Sequence, residues 1–257
     1  MYLAPKSCRK TYRGSYRLYK SYIKHRLLLT STNTLISKLP KWIEYGAFIL
    51  AFVAGCINAI GLLGFEHQSV SHVSGTATLV GTSVLNSSVE KTLHLIGILV
   101  SFFIGAAISG FMLHGNSLKL GKHYDTALIL ESCLIFTALY LLSEGSFYGH
   151  FAASTALGLQ NALATTYSGA IIRTTHLTGI FTDLGIMLGA AFRGEIFDNR
   201  KAILFILIIT GFIVGGTFGA YLFDLYKFNA LLAPGFICLG LALAYRIYSM
   251  NEYSNET

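Results

Sequence analysis

Two copies of one polar motif lie in an otherwise apolar chain: Ser71-His72-Val73-Ser74-Gly75-Thr76-Ala77-Thr78 and Thr175-His176-Leu177-Thr178-Gly179-Ile180-Phe181-Thr182. Each reads Ser/Thr-His-hydrophobic-Ser/Thr-Gly-x-x-Thr, and the copies stand 104 positions apart. A histidine titrates near neutral pH, so His72 and His176 are suited to carry a proton, donate a hydrogen bond or bind a metal. Two histidines without a neighbouring Cys or Glu cluster argue against a metal, and no cofactor is expected. On a helix, Ser71, Ser74 or Gly75, Thr78 and Thr82 share one face, and Thr175, Thr178 or Gly179 and Thr182 repeat its first two turns. Small residues there let a ligand or a neighbouring helix approach the backbone closely. The plainer alternative is that each histidine caps a helix or bonds a carbonyl across an interface.

A second matched pair precedes the motif. Gly55-Cys56-Ile57-Asn58-Ala59 corresponds to Gly158-Leu159-Gln160-Asn161-Ala162, which sets amides at Asn58 and Asn161, with Gln160 beside the latter, inside apolar runs. Buried amides need partners, and they serve equally well as a substrate site or as glue between helices. Asp183 follows Thr182, where the first copy has Leu79. An acid in an apolar segment is a functional candidate, with Arg173 or His176 as its expected partner. Arg173 also reads as an ordinary loop charge. Glu131 is a further proton-site candidate, expected near the end of its span with its side chain reaching water. The expected substrate site is thus Asn58, Ser71, His72, Ser74, Gly75, Thr78, Gln160, Asn161, Thr175, His176, Thr178, Gly179 and Thr182. Asp183, His72 and His176 are the expected proton-coupling groups.

The elements that must hold these residues are apolar runs. Six are long enough to cross a bilayer as helices, near 43–65, 93–113, 125–143, 148–167, 202–223 and 229–248. Two shorter stretches, 71–88 and 176–192, carry the motifs and are laced with Ser, Thr and Gly, so they read as re-entrant or broken helices. A weaker match of Ser101–Gly105 with Gly211–Gly215 extends the internal repeat. Three spans per half is an odd number, so the two halves would be inverted. If the short stretches crossed fully, each half would hold four spans and the repeats would be parallel. With six spans and an inner N-terminus, Lys119, Lys122, Arg173, Arg193, Arg200, Lys201 and Arg246 face inward and only Lys91 and Lys227 outward. Eight spans would move Lys119, Lys122, Arg173 and Lys227 outside, so the positive-inside rule favours six.

Composition agrees with this reading. Of 257 residues, 53% are hydrophobic and 12% charged, about half the charge of a soluble domain, with a mean hydropathy of +0.58. So little charge cannot cover one large core with water-compatible surface. Ten of the nineteen Lys and Arg residues, and no acid, fall in residues 1–41. The net charge of +7 therefore belongs to a tail and implies no nucleic-acid partner. Within the tail, Arg13, Arg17, Lys20 and Lys24 recur beside Tyr12, Tyr16, Tyr19, Ile23 and Leu27. That pattern suits an amphipathic segment on an anionic leaflet, or simply a basic tail that sets orientation. No apolar core follows it as in a secretory signal. The four cysteines, Cys8, Cys56, Cys133 and Cys238, lie far apart and read as small hydrophobes.

The chain divides into the tail 1–41, a first membrane repeat 42–147, a second repeat 148–250 and a polar tail 251–257. The expected class is an all-α polytopic membrane protein of about six spans plus two short re-entrant helices. Ala54-Gly55 through Asn58-Ala59, Ser71 through Thr76, and Leu157 through Ala162 resemble the YoaK-like family of uncharacterised bacterial membrane proteins. The similarity covers roughly residues 42–250 and implies a bacterial inner-membrane protein of about six spans, while the long basic tail departs from the short N-termini of that family. It supplies no substrate.

No phosphate loop, dinucleotide fingerprint or His-Glu-x-x-His occurs, and no enzyme activity is expected. The residues favour a small-solute secondary transporter, proton-coupled through Asp183 or a histidine. A passive channel built from two inward half-helices and a non-transporting scaffold are the rival readings.

Overall fold

The computed structural model describes residues 42–64, 67, 69–113, 123–168 and 172–255. The basic tail, Cys8, Lys119 and Lys122 lie outside them. The described chain is helical throughout: α1 (Trp42–Leu63), α2 (Val73–Asn86), α3 (Val89–Met112), α4 (Tyr124–Ser143), α5 (Tyr148–Tyr167), α6 (Leu177–Phe192), α7 (Asn199–Tyr226) and α8 (Leu232–Asn255), with a 3-10 turn at Lys227–Leu231. α8 continues through Asn255, into the stretch read above as a tail.

Local chemistry sets the boundaries. Ser88 Oγ accepts the Lys91 amide at 3.3 Å and Asp198 Oδ1 accepts the Lys201 amide at 3.0 Å, so each caps a helix N-terminus. Gly145, at φ +74, turns the chain between α4 and α5, a conformation that side chains resist. α2 and α6 have 14 and 16 residues. At about 1.5 Å per residue they reach roughly 21–24 Å, short of the ~30 Å hydrocarbon core.

Among the described residues, four stretches are long and apolar enough to cross a membrane: Glu44–Leu63, Val89–Met112, Tyr124–Ser143 and Asn199–Met250, the last interrupted by the 3-10 turn. α5 is not among them. Its Ser, Thr, Gln, Asn and His residues lower its hydropathy, yet it is heavily buried, with twelve of its twenty residues inside the bundle. A helix surrounded by protein need not be apolar on every face.

Glycines bring two helix pairs into backbone contact. A Cβ on Gly55 would strike the Phe212 carbonyl, and Gly215 and Gly219 of α7 sit likewise against the carbonyls of Phe52 and Cys56 of α1. A Cβ on Gly158 of α5 would strike the Phe102 carbonyl of α3, and one on Gly105 the Thr155 carbonyl of α5. Such small-residue seams let helices pack through backbone dispersion contacts where lipid offers no hydrophobic drive. Numbering rises together along both seams, so α1 runs parallel to α7 and α3 parallel to α5.

The other directions follow from side chains. Gln160 meets Glu131 and Tyr124 meets Leu163, so α4 and α5 are antiparallel. Ser132 Oγ donates to the Gly235 carbonyl at 2.9 Å and Tyr124 stacks with Tyr245, so α4 and α8 are antiparallel too. The start of α1 shares one cavity wall with the start of α4 and the ends of α5 and α8. The six longer helices therefore alternate in direction along the chain. Their shared core is formed by Val53, Ile57, Ile60, Ile135, Ala138, Leu157 and Leu231 with their neighbours.

Candidate functional site

The amide pair anchors the two motif segments. Asn58 Oδ1 accepts from Ser69 Oγ at 2.9 Å and from the Ser71 amide and hydroxyl, each at 3.1 Å. Asn161 Oδ1 accepts the Thr175 amide at 3.5 Å. Asn58 lies in α1 and Asn161 in α5, and each takes up a donor just before a short helix. Ser69, Ser71 and Thr175 are thus held alongside Asn58 and Asn161, so α2 and α6 begin short of the ends of α1 and α5.

The motif's glycine has a spatial cause. The ring of His72 lies over Gly75, and that of His176 over Gly179, where a Cβ would come within 2.7 Å of the His176 ring. Each histidine sits at the N-cap position without making a side-chain cap bond. Thr78 Oγ1 donates to the Ser74 carbonyl and Thr182 Oγ1 to the Thr178 carbonyl, one turn back in each helix.

Ser71 is buried, whereas His72, Ser74, Thr78, His176, Thr178, Thr182 and Asp183 face the outside of the single chain. α2 packs chiefly on α3, and α6 on α7. Asn58 is thus brought together with Ser71, and Asn161 with Thr175, but no contact joins His72 to His176 among the described residues. Asp183 also departs from expectation. It pairs with Lys201 at 3.9 Å, while Arg173 takes His176 at 3.3 Å. Lys201 comes from the first turn of α7, a long side chain whose reach from another helix the linear sequence does not reveal.

A buried polar cluster lies one residue from the second anchor. Gln160 Nε2 donates to Glu131 Oε1 at 2.9 Å, Cys238 Sγ donates to the same oxygen at 3.3 Å, and Thr174 Oγ1 donates to Gln160 Oε1 at 3.1 Å. Glu131, Gln160, Thr174 and Cys238 are each 0% exposed. Glu131 is therefore sealed inside the bundle, not reaching water, because α5 and α8 close over that face of α4. Its Oε2 has no hydrogen-bond partner among the described residues. Ile57 and Val70, the residues just before Asn58 and Ser71, are by contrast buried and apolar. Adjacent residues Gln160 and Asn161 thus grip adjacent Thr174 and Thr175, which links the carboxyl group to the entry of α6.

Thr174 and the polar role of Cys238 escaped sequence reasoning. Cys56 is buried as expected, but Cys133 is exposed. His94 and His150 also escaped it. Their rings meet edge to face, centroids 5.5 Å apart, at the opposite end of the bundle, beside a cavity lined by Leu93, Gly97, Phe147 and Phe151. No group of three or more potential metal ligands occurs among the described residues.

Residues 46–244 match the DUF1275 family, described as proteins of unknown function, and the chain belongs to that family. No curated protein and no solved structure matches it.

Proposed function

We propose that this chain is a secondary transporter of small solutes, with six spans arranged as two inverted repeats in a bacterial inner membrane and both termini cytoplasmic. The observation that carries this reading is the matched pair of anchors. Asn58 and Asn161 hold the entries of two short helices by accepting the Ser71 and Thr175 amides. Interrupted helices at corresponding places are the feature by which transporters expose backbone and polar side chains to a wet site. Inversion is supported by the helix directions, because α1 and α3 oppose one another, as do α5 and α7, while the seams pair the first helix of each half with the third of the other. The resemblance to YoaK-like proteins supports the inner-membrane assignment.

Orientation follows from charge. Arg193, Arg200, Lys201 and Arg246 flank the bundle end where α1 starts, and Arg200 pairs there with Glu44 at 3.4 Å. Lys91 and Lys227 flank the other end. By the positive-inside rule the first end is cytoplasmic. In this mechanism the halves rock about the glycine seams, and the motif residues, outward-facing in the single chain, line a path along α2 and α6 that is exposed in turn to either side. Asp183, His72 and His176 are groups able to carry a coupled proton, and Glu131 is a sheltered fourth.

The test is untargeted metabolite profiling of a deletion strain against an overexpressor. At least one small solute should change in opposite directions, and wild-type protein should restore it. His72→Ala and His176→Ala should not restore it at equal membrane abundance. Coincident profiles would contradict transport, and full rescue by both variants would remove the motif from the path. Labelling of Lys119→Cys from the outer face of sealed cells would overturn the six-span arrangement.

A further inference from the structure

A cavity of about 500 Å³ opens at the end of the bundle where α1 and α4 start and α5 and α8 end. Five tyrosines, Tyr45, Tyr124, Tyr167, Tyr245 and Tyr248, stand around it, and no charged side chain lines it among the described residues. Leu128, Leu163 and Leu241 also line it. They lie three residues from Glu131, Gln160 and Cys238 respectively, which is one helical turn in each of α4, α5 and α8. Tyrosines, leucines and the buried polar cluster are thus stacked as three successive layers, on the same three helices and in the same register.

We propose that this cavity binds a lipophilic organic cation whose charge is balanced by Glu131. Tyrosine faces attract cations, and an apolar wall suits a ligand with little hydration to lose. Glu131 forms no ion pair among the described residues, and its Oε2 faces no partner there. A cation is the ligand this arrangement lacks. An uncharged hydrophobe would fill the volume but leave the carboxyl group without purpose. Charge balance in the low-dielectric core then calls for a proton on Glu131 whenever the cation leaves. Each cation bound therefore releases one proton to water, an exchange that suits antiport. The inference deepens the transport reading by naming a substrate class, and binding tests it separately from flux.

The probe is tetraphenylphosphonium, titrated into the purified full-length protein in weakly buffered detergent. Uncharged triphenylphosphine oxide is the control. Saturable binding with about one proton released is expected, with far weaker binding of the neutral control. Glu131→Gln keeps the size and the hydrogen bonds of the side chain. It should weaken cation binding by roughly ten- to thirtyfold, the scale of a charge one and a half to two turns away at an effective dielectric near 20, and abolish proton release. Leu128→Trp, which fills the cavity without touching the carboxyl group, should weaken both ligands. Monodisperse elution and unchanged melting temperature confirm that the variants fold. Absence of binding by the wild-type protein, or equal affinity in Glu131→Gln, overturns the proposal. Solute movement without such binding would leave transport standing and remove this substrate class.

Discussion

The two anchors, alike in sequence, differ in strength, and replacing each asparagine by alanine exposes the difference. Asn58 Oδ1 accepts three hydrogen bonds of 2.9 to 3.1 Å. Asn161 Oδ1 accepts one, at 3.5 Å, the long limit for such a bond. Hydrogen bonds between membrane helices average about 0.6 kcal/mol, and those in soluble proteins about 1. Asn58→Ala should therefore cost about 2–3 kcal/mol, with more if the buried Ser71 hydroxyl is left without an acceptor. Asn161→Ala should cost no more than about 1 kcal/mol, because Gln160 still holds Thr174 at 3.1 Å. Hydrogen exchange in detergent, followed by mass spectrometry on peptides spanning 69–76 and 172–180, reads each entry separately. Protection should fall in the first peptide of Asn58→Ala and change little in the second peptide of Asn161→Ala. Loss at 172–180 as large as that at 69–76 would refute the assignment of strength from bond number and length.

Further expectations concern other parts of the bundle. Gly158→Leu and Gly215→Leu put side chains against the Phe102 and Phe52 carbonyls and should remove monodisperse protein from size-exclusion profiles, whereas Gly110→Leu and Gly185→Leu, with open space around the Cβ, should leave them unchanged. In detergent, N-ethylmaleimide should modify exposed Cys133 within minutes and leave buried Cys56 and Cys238 intact, as read by peptide mass spectrometry. Gly179→Ala should displace the His176 ring and break its 3.3 Å contact with Arg173, visible as a shifted imidazole resonance in protein labelled at histidine. An unchanged resonance would show that the ring does not rest on Gly179.

Hydrophobic run length revealed most of the helices, because lipid-facing surface must be apolar over a whole span. Runs near 125–143 and 148–167 became Tyr124–Ser143 and Tyr148–Tyr167. The short stretches were legible as short helices for the same reason, and they have 14 and 16 residues. Asn58 and Asn161 were legible as buried amides in need of partners, but not as holders of the segments that enter the short helices. What stayed hidden was who meets whom across the bundle. Nothing near Glu131 in the sequence names Cys238 as its neighbour, since 107 positions separate them and α8 brings them together. Asp183 was paired by sequence proximity with Arg173 or His176, while the fold supplies Lys201. The exposure of Ser74 and Thr78 is likewise a property of packing, because a polar stripe reads the same whether it faces a cavity or the outer surface of one chain.

The most direct measurement places His72 and His176 in the bilayer. Each is replaced by cysteine in a cysteine-free protein, spin-labelled and reconstituted, and its collision rates with oxygen and with a water-soluble nickel chelate are compared. Two half-helices starting in a wet interior predict that both labels lie near mid-bilayer depth and collide measurably with the chelate. A label at headgroup depth, or one reached by oxygen alone, would contradict a polar path between the halves.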